Sequence, residues 1–299
     1  MPKYLAIEIG GTKLQVAVGN SAGKILERHR FAVTPSAGGA GIRKQLKATL
    51  PALIKKQRPV SIGVGFGGPV DWKTGKICCS HQIEGWSDFP LQRWLEDLTG
   101  IATRVDNDAN VGALGEATRG AGVGFNPVFY VTLGSGVGGG LVVDGKIYHG
   151  AKPGESEIGH IRLDKSGKIL ELSCSGWAVD KKIRASKLGD HAKELKLALA
   201  KNNPIAKKIL NETATDLAFG LSHVVHLFHP EVIILGGGLS LIGEPLRKAV
   251  ATALSGFIME AFAPGPKIVL AKLGEDAVPV GALALARVQP SDRSPRPTR

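Results

Sequence analysis

The stretch that decides the fold stands at the start of the sequence: Tyr4-Leu5-Ala6-Ile7-Glu8-Ile9-Gly10-Gly11-Thr12-Lys13-Leu14-Gln15-Val16-Ala17-Val18. Residues 4–9 and 14–18 are mostly apolar runs, and a glycine turn separates them. Short apolar runs bounded by turn residues are typical of buried strands. The pattern predicts a strand that turns back on itself, and residues 20–24 and 25–33 predict a second turn and a third strand.

The same pattern recurs later in the chain. Residues 129–133 predict a strand, residues 134–140 a glycine turn and residues 141–143 the returning strand. A Gly-Lys pair forms the second turn in both places, at Gly23-Lys24 and Gly145-Lys146. Two copies of one unit, about 120 residues apart, indicate two related lobes. The other segments alternate, with helices at 43–56, 91–98, 106–119, 205–228, 241–262 and 280–288 and strands at 60–66, 102–105, 232–235 and 268–270. This alternation predicts an α/β architecture.

Composition excludes several classes of protein. The chain has 299 residues, of which 43% are hydrophobic, enough for a core of about two domains. Aromatic residues make up 5%, which argues against stacking on single-stranded nucleic acid. The net charge of +12 suits anionic partners, although a solvated basic surface is the favoured explanation. Residues 290–299 are rich in proline and arginine and predict a disordered basic tail.

Leader and membrane signals are weak. Glu8 interrupts the short N-terminal apolar run, which is unlike a signal peptide. Residues 121–143 are uncharged, but Pro127 and the glycine cluster indicate two strands instead of a membrane span. The cysteines Cys78, Cys79 and Cys174 have neither a disulfide framework nor metal-ligand spacing. We therefore expect a soluble, cytoplasmic protein.

Three glycine clusters are candidate nucleotide-binding elements. Backbone N–H groups in glycine turns can converge on an anion, and the hydroxyls of Thr12 and Ser135 stand beside two of these turns. Neither turn fits the P-loop pattern, and ordinary glycine hairpins remain the alternative. The third cluster, at residues 236–238, follows a predicted strand and suits either a nucleotide or a tight strand-to-helix turn.

Two polar stretches are candidates for the chemistry. Residues 106–110 read Asp-Asn-Asp-Ala-Asn at a strand-to-helix junction, which suits a helix N-cap or a general base for a hydroxyl nucleophile. Residues 155–160 read Glu-Ser-Glu-Ile-Gly-His, which suits a clamp on sugar hydroxyls, one or two metal ligands, or a solvated loop. Glu171 is undecided on its own and is more typical of a surface residue.

Taken in order, these motifs resemble the ROK family of repressors, open reading frames and sugar kinases, within the actin-like ATPase superfamily. The resemblance runs from Ala6 to about Arg287. Its matching stretches are residues 7–13, 63–71, 107–110, 113–116, 132–140, 154–160, 235–238 and 280–282.

The resemblance implies an α/β fold of two ribonuclease-H-like lobes around a central cleft. The small N-terminal lobe would span residues 1–106, closed by a C-terminal helix at 278–289, and the large lobe residues 107–277. ATP and Mg²⁺ would bind in the cleft, with Asp108 as the general base for the sugar hydroxyl. The sugar-binding residues would be Gly68, Asn107, Glu157, His160 and Glu171. The nucleotide-binding residues would be Glu8, Gly10, Gly11, Thr12, Lys13, Gly134, Ser135, Gly136, Gly236, Gly237 and Gly238.

The sequence departs from the family pattern at three places. Glu8 stands where the family usually has aspartate, which keeps the charge but adds a methylene. Residues 161–169 contain no cysteine, although the family's zinc loop belongs there, so we predict no structural zinc. Ser156 stands where a glycine is common, which changes the flexibility of the loop.

The activity that the resemblance implies is an ATP-dependent hexose kinase, in particular a glucokinase acting on the sugar 6-OH. An N-acetylhexosamine kinase for N-acetylmannosamine or N-acetylglucosamine, a fructokinase, and polyphosphate as donor are the alternatives. A sugar-sensing transcriptional regulator is the alternative from another class, but the phosphate turn begins at Gly10 and leaves no room for a preceding DNA-binding motif. The expected partners are a sugar and a nucleotide, not nucleic acid or membrane, and we expect a homodimer.

Overall fold

The computed structural model describes residues 1–79, 84–154 and 156–287. The predicted tail at 290–299 lies outside the described residues. The chain forms two compact units. Unit 1 comprises Met1–Gly115, Ala151–Gly154 and the described residues from Val278 onward, and unit 2 comprises the described residues of the remainder. The chain therefore leaves unit 1 and returns to it more than once.

The first part of the chain builds most of unit 1. Its elements are β1 (Lys3–Ile9), β2 (Lys13–Asn20), β3 (Ile25–Ala32), α1 (Gly38–Gln57), β4 (Ile62–Phe66), β5 (Val70–Asp71), β6 (Lys76–Ile77), α2 (Leu91–Thr99), β7 (Thr103–Asn107) and α3 (Asp108–Arg119). Helix α2 ends within one residue of the predicted helix at 91–98, because Gly100 adopts a left-handed conformation with φ of 68°.

The second part of the chain builds unit 2 and then returns to unit 1. Its elements are β8 (Val128–Leu133), β9 (Val137–Val143), β10 (Lys146–Ile147), α4 (Glu171–Cys174), α5 (Gly176–Ala185), α6 (Ala192–Ala200), α7 (Pro204–Phe228), β11 (Val232–Gly236), α8 (Glu244–Ser255), β12 (Lys267–Leu270) and α9 (Ala277–Leu285). Helix α7 begins with Asn203 as N-cap, whose side chain accepts from the N–H groups of Ile205 and Ala206.

The two units contain sheets with the same topology. The sheet of unit 1 has the order β3-β2-β1-β4-β7, and the sheet of unit 2 has the order β10-β9-β8-β11-β12. In each, three antiparallel strands from consecutive hairpins are extended by two parallel strands. The internal repeat that the sequence predicts is therefore confirmed.

One face of the unit 1 sheet carries the core. Leu5, Ile7 and Ile9 alternate along β1 and pack in one cluster with Leu46 and Leu50 of α1. Burial of each such side chain contributes about 1.5–3 kcal/mol. Helix α1 has the predicted apolar spacing but begins earlier than the sequence indicates, at Gly38.

The opposite face of that sheet packs against α9. A Cβ on Gly63 of β4 would overlap the carbonyl oxygen of Ala282, and a Cβ on Gly281 would overlap the carbonyl oxygen of Val111 in α3. Glycine at these two positions lets the backbones approach more closely than any larger residue allows. Helix α9 therefore lies directly against β4 and the first turns of α3.

Two sequence predictions about secondary structure are wrong. The glycine turn predicted over residues 134–140 ends at Gly136, because Gly138, Gly139 and Gly140 lie within β9. The helix predicted over residues 241–262 is only α8, because Gly243 adopts a φ of 85° before it and the helix ends at Ser255. In both places glycine is required by a local backbone conformation or by a close contact, and the periodicity of apolar residues in the sequence does not reveal either.

A buried carboxylate joins distant segments of unit 2. Glu116 has no solvent exposure, and it accepts hydrogen bonds from the backbone N–H groups of Ala121 (2.7 Å), Lys272 (3.2 Å) and Leu273 (2.8 Å). A buried carboxylate is tolerated only when such donors satisfy it. Glu116 thereby connects the end of α3 to the segment that leads back into α9.

No helix among the described residues is long and apolar enough to cross a membrane.

Candidate active site

Three neighbouring parallel strands of unit 1 end at one edge of the sheet, where candidate site residues follow each of them. Strand β1 is followed by Gly10, β4 by Gly67 and β7 by Asp108. The carboxyl ends of parallel strands are the usual ligand-binding edge of an α/β sheet. Gly67 N–H donates to the carbonyl oxygen of Ile9 (2.8 Å), which fixes the second of these turns against the first.

The carboxylate of Asp108 lies beside the first glycine turn. A Cβ on Gly67 would stand 3.3 Å from Asp108 Oδ2 and 3.4 Å from the Cα of Gly10. Only a residue without a side chain leaves this space open between the carboxylate and the turn. Asp108 is half-buried and begins α3, and the positive end of the helix dipole stabilises its negative charge.

Asn107 caps helix α3. Its Oδ1 accepts from the N–H groups of Ala109 (2.8 Å) and Asn110 (3.2 Å), which confirms the N-cap interpretation of this stretch. Its Nδ2 donates to the carbonyl oxygen of Gly68 (3.2 Å). Gly68 has a φ of 154°, and a Cβ there would stand 3.2 Å from the carbonyl oxygen of Cys79. Asn107 therefore fixes both the start of α3 and the backbone of Gly68.

Asn110 is a buried residue that the sequence interpretation gave no separate role. Its Nδ2 donates to Asp106 Oδ1 (3.0 Å) and to the carbonyl oxygen of Gly154 (2.8 Å). The segment Ala151–Gly154 is thus attached to α3, immediately before the residues of the predicted sugar loop. The signal in the sequence was the Asp-Asn-Asp-Ala-Asn stretch itself, which has four capping-type residues where a helix start requires one.

A second contact holds the same segment. Lys152 Nζ lies 2.6 Å from Asp71 Oδ2. Burial acts to raise the pKa of Asp71, but hydrogen bonds from Lys152, Lys73 and Thr74 outweigh it and hold that pKa below its usual value. Asp71 therefore remains a carboxylate that binds Lys152 at neutral pH.

Glu8 lies at the end of β1 and is largely buried, with 9% of its surface exposed. Lys13 Nζ stands 3.7 Å from its Oε1, and Gln15 Nε2 donates a hydrogen bond to its Oε2. The N–H of Gly10 donates to the carbonyl oxygen of Lys13 (2.7 Å) and closes the turn beside it. Sequence reasoning assigned Glu8 and Lys13 to nucleotide binding but gave no role to Gln15.

The residues at this edge fit Mg²⁺ bound together with a nucleotide. Mg²⁺ is usually held by one or two carboxylates and by phosphate oxygens, and it keeps several waters. Glu8 supplies one carboxylate next to a glycine turn of the type that binds phosphate. Among the described residues, no three His, Cys, Asp or Glu side chains gather into a set that could hold a metal ion alone. The prediction of no structural zinc stays a prediction.

In unit 2 the other two glycine clusters are neighbours. Gly134 N–H donates to the carbonyl oxygen of Gly136 (3.0 Å) and closes a turn that includes Ser135. Gly237 follows β11 with a φ of 77°, and a Cβ there would stand 2.5 Å from the backbone of Leu133. The turn after β8 and the cluster Gly236-Gly237-Gly238 therefore meet at the carboxyl edge of this sheet.

The predicted sugar loop contributes exposed side chains. Glu157 and His160 are both exposed, and His160 N–H donates to the carbonyl oxygen of Glu157 (3.0 Å) in a short 3₁₀ turn. A Cβ on Gly159 would overlap the carbonyl oxygen of Val137 in β9. Glycine thus allows this turn to lie against β9. Glu155 lies outside the described residues.

Glu171 contacts the turn after β8. Its Oε2 accepts from the N–H of Val137 (2.8 Å), and a Cβ on Gly136 would overlap that carboxylate. The structure therefore gives Glu171 a bond that fixes the glycine turn, whereas the sequence alone made it a surface residue or, through the resemblance, a sugar ligand.

Comparison with known proteins gives the family. The model of the ROK family matches residues 4–289. The chain belongs to the ROK family. A relative, the glucokinase of Halalkalibacterium halodurans, is 31% identical over 316 residues, covering 96% of this chain and 95% of that protein. The predicted membership is thus confirmed across almost the whole chain.

Solved ROK structures confirm the fold. A ROK family glucokinase from Streptomyces griseus, crystallised with glucose and AMPPNP, is 28% identical, with a TM-score of 0.83 over 95% of this chain and 99% of that one. A ROK family transcriptional regulator, a homologue of the E. coli MLC protein, has a TM-score of 0.85 at 20% identity, over 95% of this chain and 77% of that one. The actin-like ATPase fold is therefore established, and it is shared by ROK kinases and ROK regulators.

Proposed function

We propose that this ROK protein is an ATP-dependent hexose kinase and that glucose is its acceptor. The observation that carries the proposal is the position of Asp108, whose carboxylate lies across the open space at Gly67 from the Gly10 turn. A transcriptional regulator needs to bind a sugar but needs no base beside a phosphate turn. The similarity to two proteins named glucokinase supports the same activity.

Asp108 would accept the proton of the sugar hydroxyl as that oxygen attacks the γ-phosphate. Phosphoryl transfer requires little covalent chemistry from a protein, so that orientation of the nucleophile and stabilisation of charge account for most of the catalysis. Asn107 and Gly67 support this role because they fix the start of α3 and leave room beside the carboxylate. General-base catalysis of this kind contributes about 10²- to 10⁴-fold in rate.

Backbone N–H groups and hydroxyls of the glycine turns would hold the phosphates. In unit 1 these are the groups of Gly11 and Thr12, next to Gly10 and Lys13, and in unit 2 those of Gly134, Ser135 and Gly136. Gly236, Gly237 and Gly238 would contact the nucleoside. Glu8 would hold Mg²⁺ together with the nucleotide. When bound, Mg²⁺ neutralises the charge that develops on the transferred phosphoryl group.

The sugar ligands follow from the family motif. Gly68, Asn107, Glu157, His160 and Glu171 match its sugar-binding positions. Carboxylates suit vicinal hydroxyls because they accept several hydrogen bonds, and a neutral imidazole can accept one hydrogen bond and donate another. The exposure of Glu157 and His160 is consistent with groups that are available to a ligand.

A coupled ADP-release assay tests the proposal. The purified chain is given Mg²⁺-ATP with glucose, mannose, fructose, N-acetylglucosamine or N-acetylmannosamine in turn, and inorganic polyphosphate replaces ATP in a second series. We expect the highest kcat/KM for glucose with ATP. A higher value for an N-acetylated sugar, fructose or polyphosphate would replace the substrate assignment. Sugar binding by calorimetry without any phosphoryl transfer would instead identify a sugar-sensing regulator.

A further inference from the structure

Gln15 stands directly opposite Glu8 in the unit 1 sheet. The register of the β1–β2 hairpin pairs these two residues. On the other side of β1, Glu8 is paired with Gly65 of β4, which is paired in turn with Asp106 of β7, so that the four residues form one row across the sheet. Side chains on adjacent antiparallel strands interact most strongly when they are directly opposite. Gln15 Nε2 donates to Glu8 Oε2, so the amide holds the oxygen of the carboxylate that faces away from Lys13.

The environment of Gln15 would suit an apolar residue better if its role were only structural. Its surface is 1% exposed, and Ala17, the next residue of β2 on the same face of the sheet, is also 1% exposed. Within the described part of the chain, Gln15 Oε1 has no hydrogen-bond partner. Leaving a buried acceptor unpaired is costly, and only a strong bond from the other end of the amide offsets it. A hydrogen bond to a carboxylate is of that kind.

Unit 2 provides an internal comparison. Its equivalent strands pair Thr132 of β8 with Gly138 of β9 and with Gly236 of β11. The topology and the glycine turn are the same, but this row has neither a carboxylate nor an amide. The glutamine is therefore not a requirement of the hairpin, and it occurs in the unit where the strand carries Glu8.

We propose that Gln15 is a positioning residue for Glu8, holding its carboxylate at the Gly10 turn in the orientation that serves Mg²⁺-nucleotide. The inference rests on the proposed function of Glu8. Without the amide, the flexible glutamate side chain would rotate towards Lys13, since that cation attracts its other oxygen. The glutamine thus offsets the freedom that the additional methylene gives to Glu8.

Calorimetry with Mg²⁺-AMPPNP tests the proposal on the full chain. Gln15→Met keeps the length of the side chain and removes the amide, and it should weaken Mg²⁺-AMPPNP binding about tenfold, as expected for a lost hydrogen bond to a charged group. Binding of AMPPNP in EDTA, and the KM for the hexose, should stay within about twofold of the wild-type values.

The chain offers a matched control. Gln57 Nε2 donates to Glu27 Oε2, so Gln57→Met removes the same type of bond at a site remote from the Gly10 turn. It should leave Mg²⁺-AMPPNP affinity unchanged, whatever it does to the melting temperature. A double-mutant cycle adds a second measurement, because in the Glu8→Asp variant the shorter side chain should no longer depend on Gln15 and Gln15→Met should have no further effect.

Three outcomes would overturn the inference. They are unchanged Mg²⁺-AMPPNP affinity in Gln15→Met, an equal loss of affinity in EDTA, and additive effects in the cycle. The wild-type chain reports on the proposed function separately, since failure of the unmodified protein to bind Mg²⁺-AMPPNP would reject both.

Discussion

The sheets of the two units have one topology but carry different chemistry where their equivalent strands end. Strands β1 and β8 are both followed by a glycine turn, and β4 and β11 both place glycine opposite them, at Gly65 and Gly236. At the equivalent positions of these strands, Glu8 and Asp108 are carboxylates in unit 1, and unit 2 has no acidic counterpart to either. Glu8 has Thr132 as its counterpart, and β12 is followed by Ala271-Lys272-Leu273 where β7 is followed by Asp108.

This difference separates what the fold supplies from what the site requires. Both sheets contain a hairpin with a glycine turn and a glycine on the neighbouring parallel strand, so these features belong to the repeated scaffold. The acidic residues occur in one sheet, so they indicate where metal and proton chemistry takes place. Substitutions of the glycines that both sheets share, or of the acidic residues of unit 1, therefore test the comparison directly.

The largest effect should come from the carboxylate that only unit 1 has. Asp108→Asn keeps the shape of the side chain and removes the base, and it should lower kcat by about 10²- to 10⁴-fold. Binding of the hexose, measured by calorimetry, should weaken only modestly. Glu212→Gln, at an exposed position of α7, is the control and should keep normal turnover. Near-normal kcat in Asp108→Asn would remove the general base from the mechanism.

Replacing the glycine that both sheets share, Gly65 in unit 1 or Gly236 in unit 2, should destabilise the protein equally. A Cβ on Gly65 would stand 2.5 Å from Val278 Cγ1, and a Cβ on Gly236 would overlap the hydroxyl of Tyr130. Because Tyr130 is buried and Val278 is half-buried, neither can move aside freely, and Gly65→Ala and Gly236→Ala should each lower the free energy of unfolding by about 2 kcal/mol. Gly238→Ala, with no atom within 4 Å of the added Cβ, is the control. Urea unfolding measures all three, and an unperturbed Gly236→Ala would show that only unit 1 needs the close approach.

A smaller effect should appear within the glycine turn of unit 2. Gly136→Ala would push the Glu171 carboxylate off the N–H of Val137 and should cost about 1 kcal/mol of stability. Gly134→Ala adds a Cβ with nothing within 4 Å and should leave the melting temperature almost unchanged. If calorimetric scans gave equal melting temperatures for both variants, the bond from Val137 to Glu171 would not stabilise the turn.

The smallest change is expected at the thiol of unit 2. Burial, first of all, raises the pKa of Cys174 from 9.0 to about 12, and its Sγ donates to the carbonyl oxygen of Thr213 (3.4 Å). At pH 8 its thiolate fraction is about 1,000-fold below that of an ordinary thiol, so the folded protein should not be alkylated at Cys174. The protonated Cys174 thiol therefore contributes its full stabilisation of the fold below about pH 9, and this contribution is lost as the pH rises towards 12.

Mass spectrometry after iodoacetamide treatment at pH 8 checks this prediction. Cys78 and Cys79 of unit 1 are half-buried and should be modified first. All three cysteines should be modified in urea. Rapid modification of Cys174 in the folded protein would mean that unit 2 opens locally.

The sequence predicts those parts of the molecule that depend on local pattern. The alternation of Leu5, Ile7 and Ile9 and the turn at Gly10 define the first hairpin, and α2 ends within one residue of the predicted helix at 91–98. Gly139 is different, because a Cβ there would stand 2.9 Å from the carbonyl oxygen of Ser156. That requirement comes from a segment distant in sequence, and so the glycine was interpreted as part of a turn.

The site shows the same limit. Asp108 was identified because its neighbours form a motif, whereas the roles of Asn110 and Glu116 depend on backbone groups more than 40 positions away. Gln15 is an intermediate case. Once the length of the Gly10 turn is known, the hairpin register alone places it opposite Glu8, and a glutamine in an apolar strand is the visible signal.

The hydrogen bonds of Glu116 have a consequence for how the gene can be altered. The side chain of Glu116 holds together the place where the chain enters unit 2 and the place where it leaves towards α9, although Glu116 and Lys272 are 156 positions apart. A module with adjacent ends can be carried as an insertion by a host domain and tolerates circular permutation. A gene that carries residues 116–277 as an insertion in a surface loop of an unrelated host domain should therefore still encode a folded module, provided that Glu116 is retained.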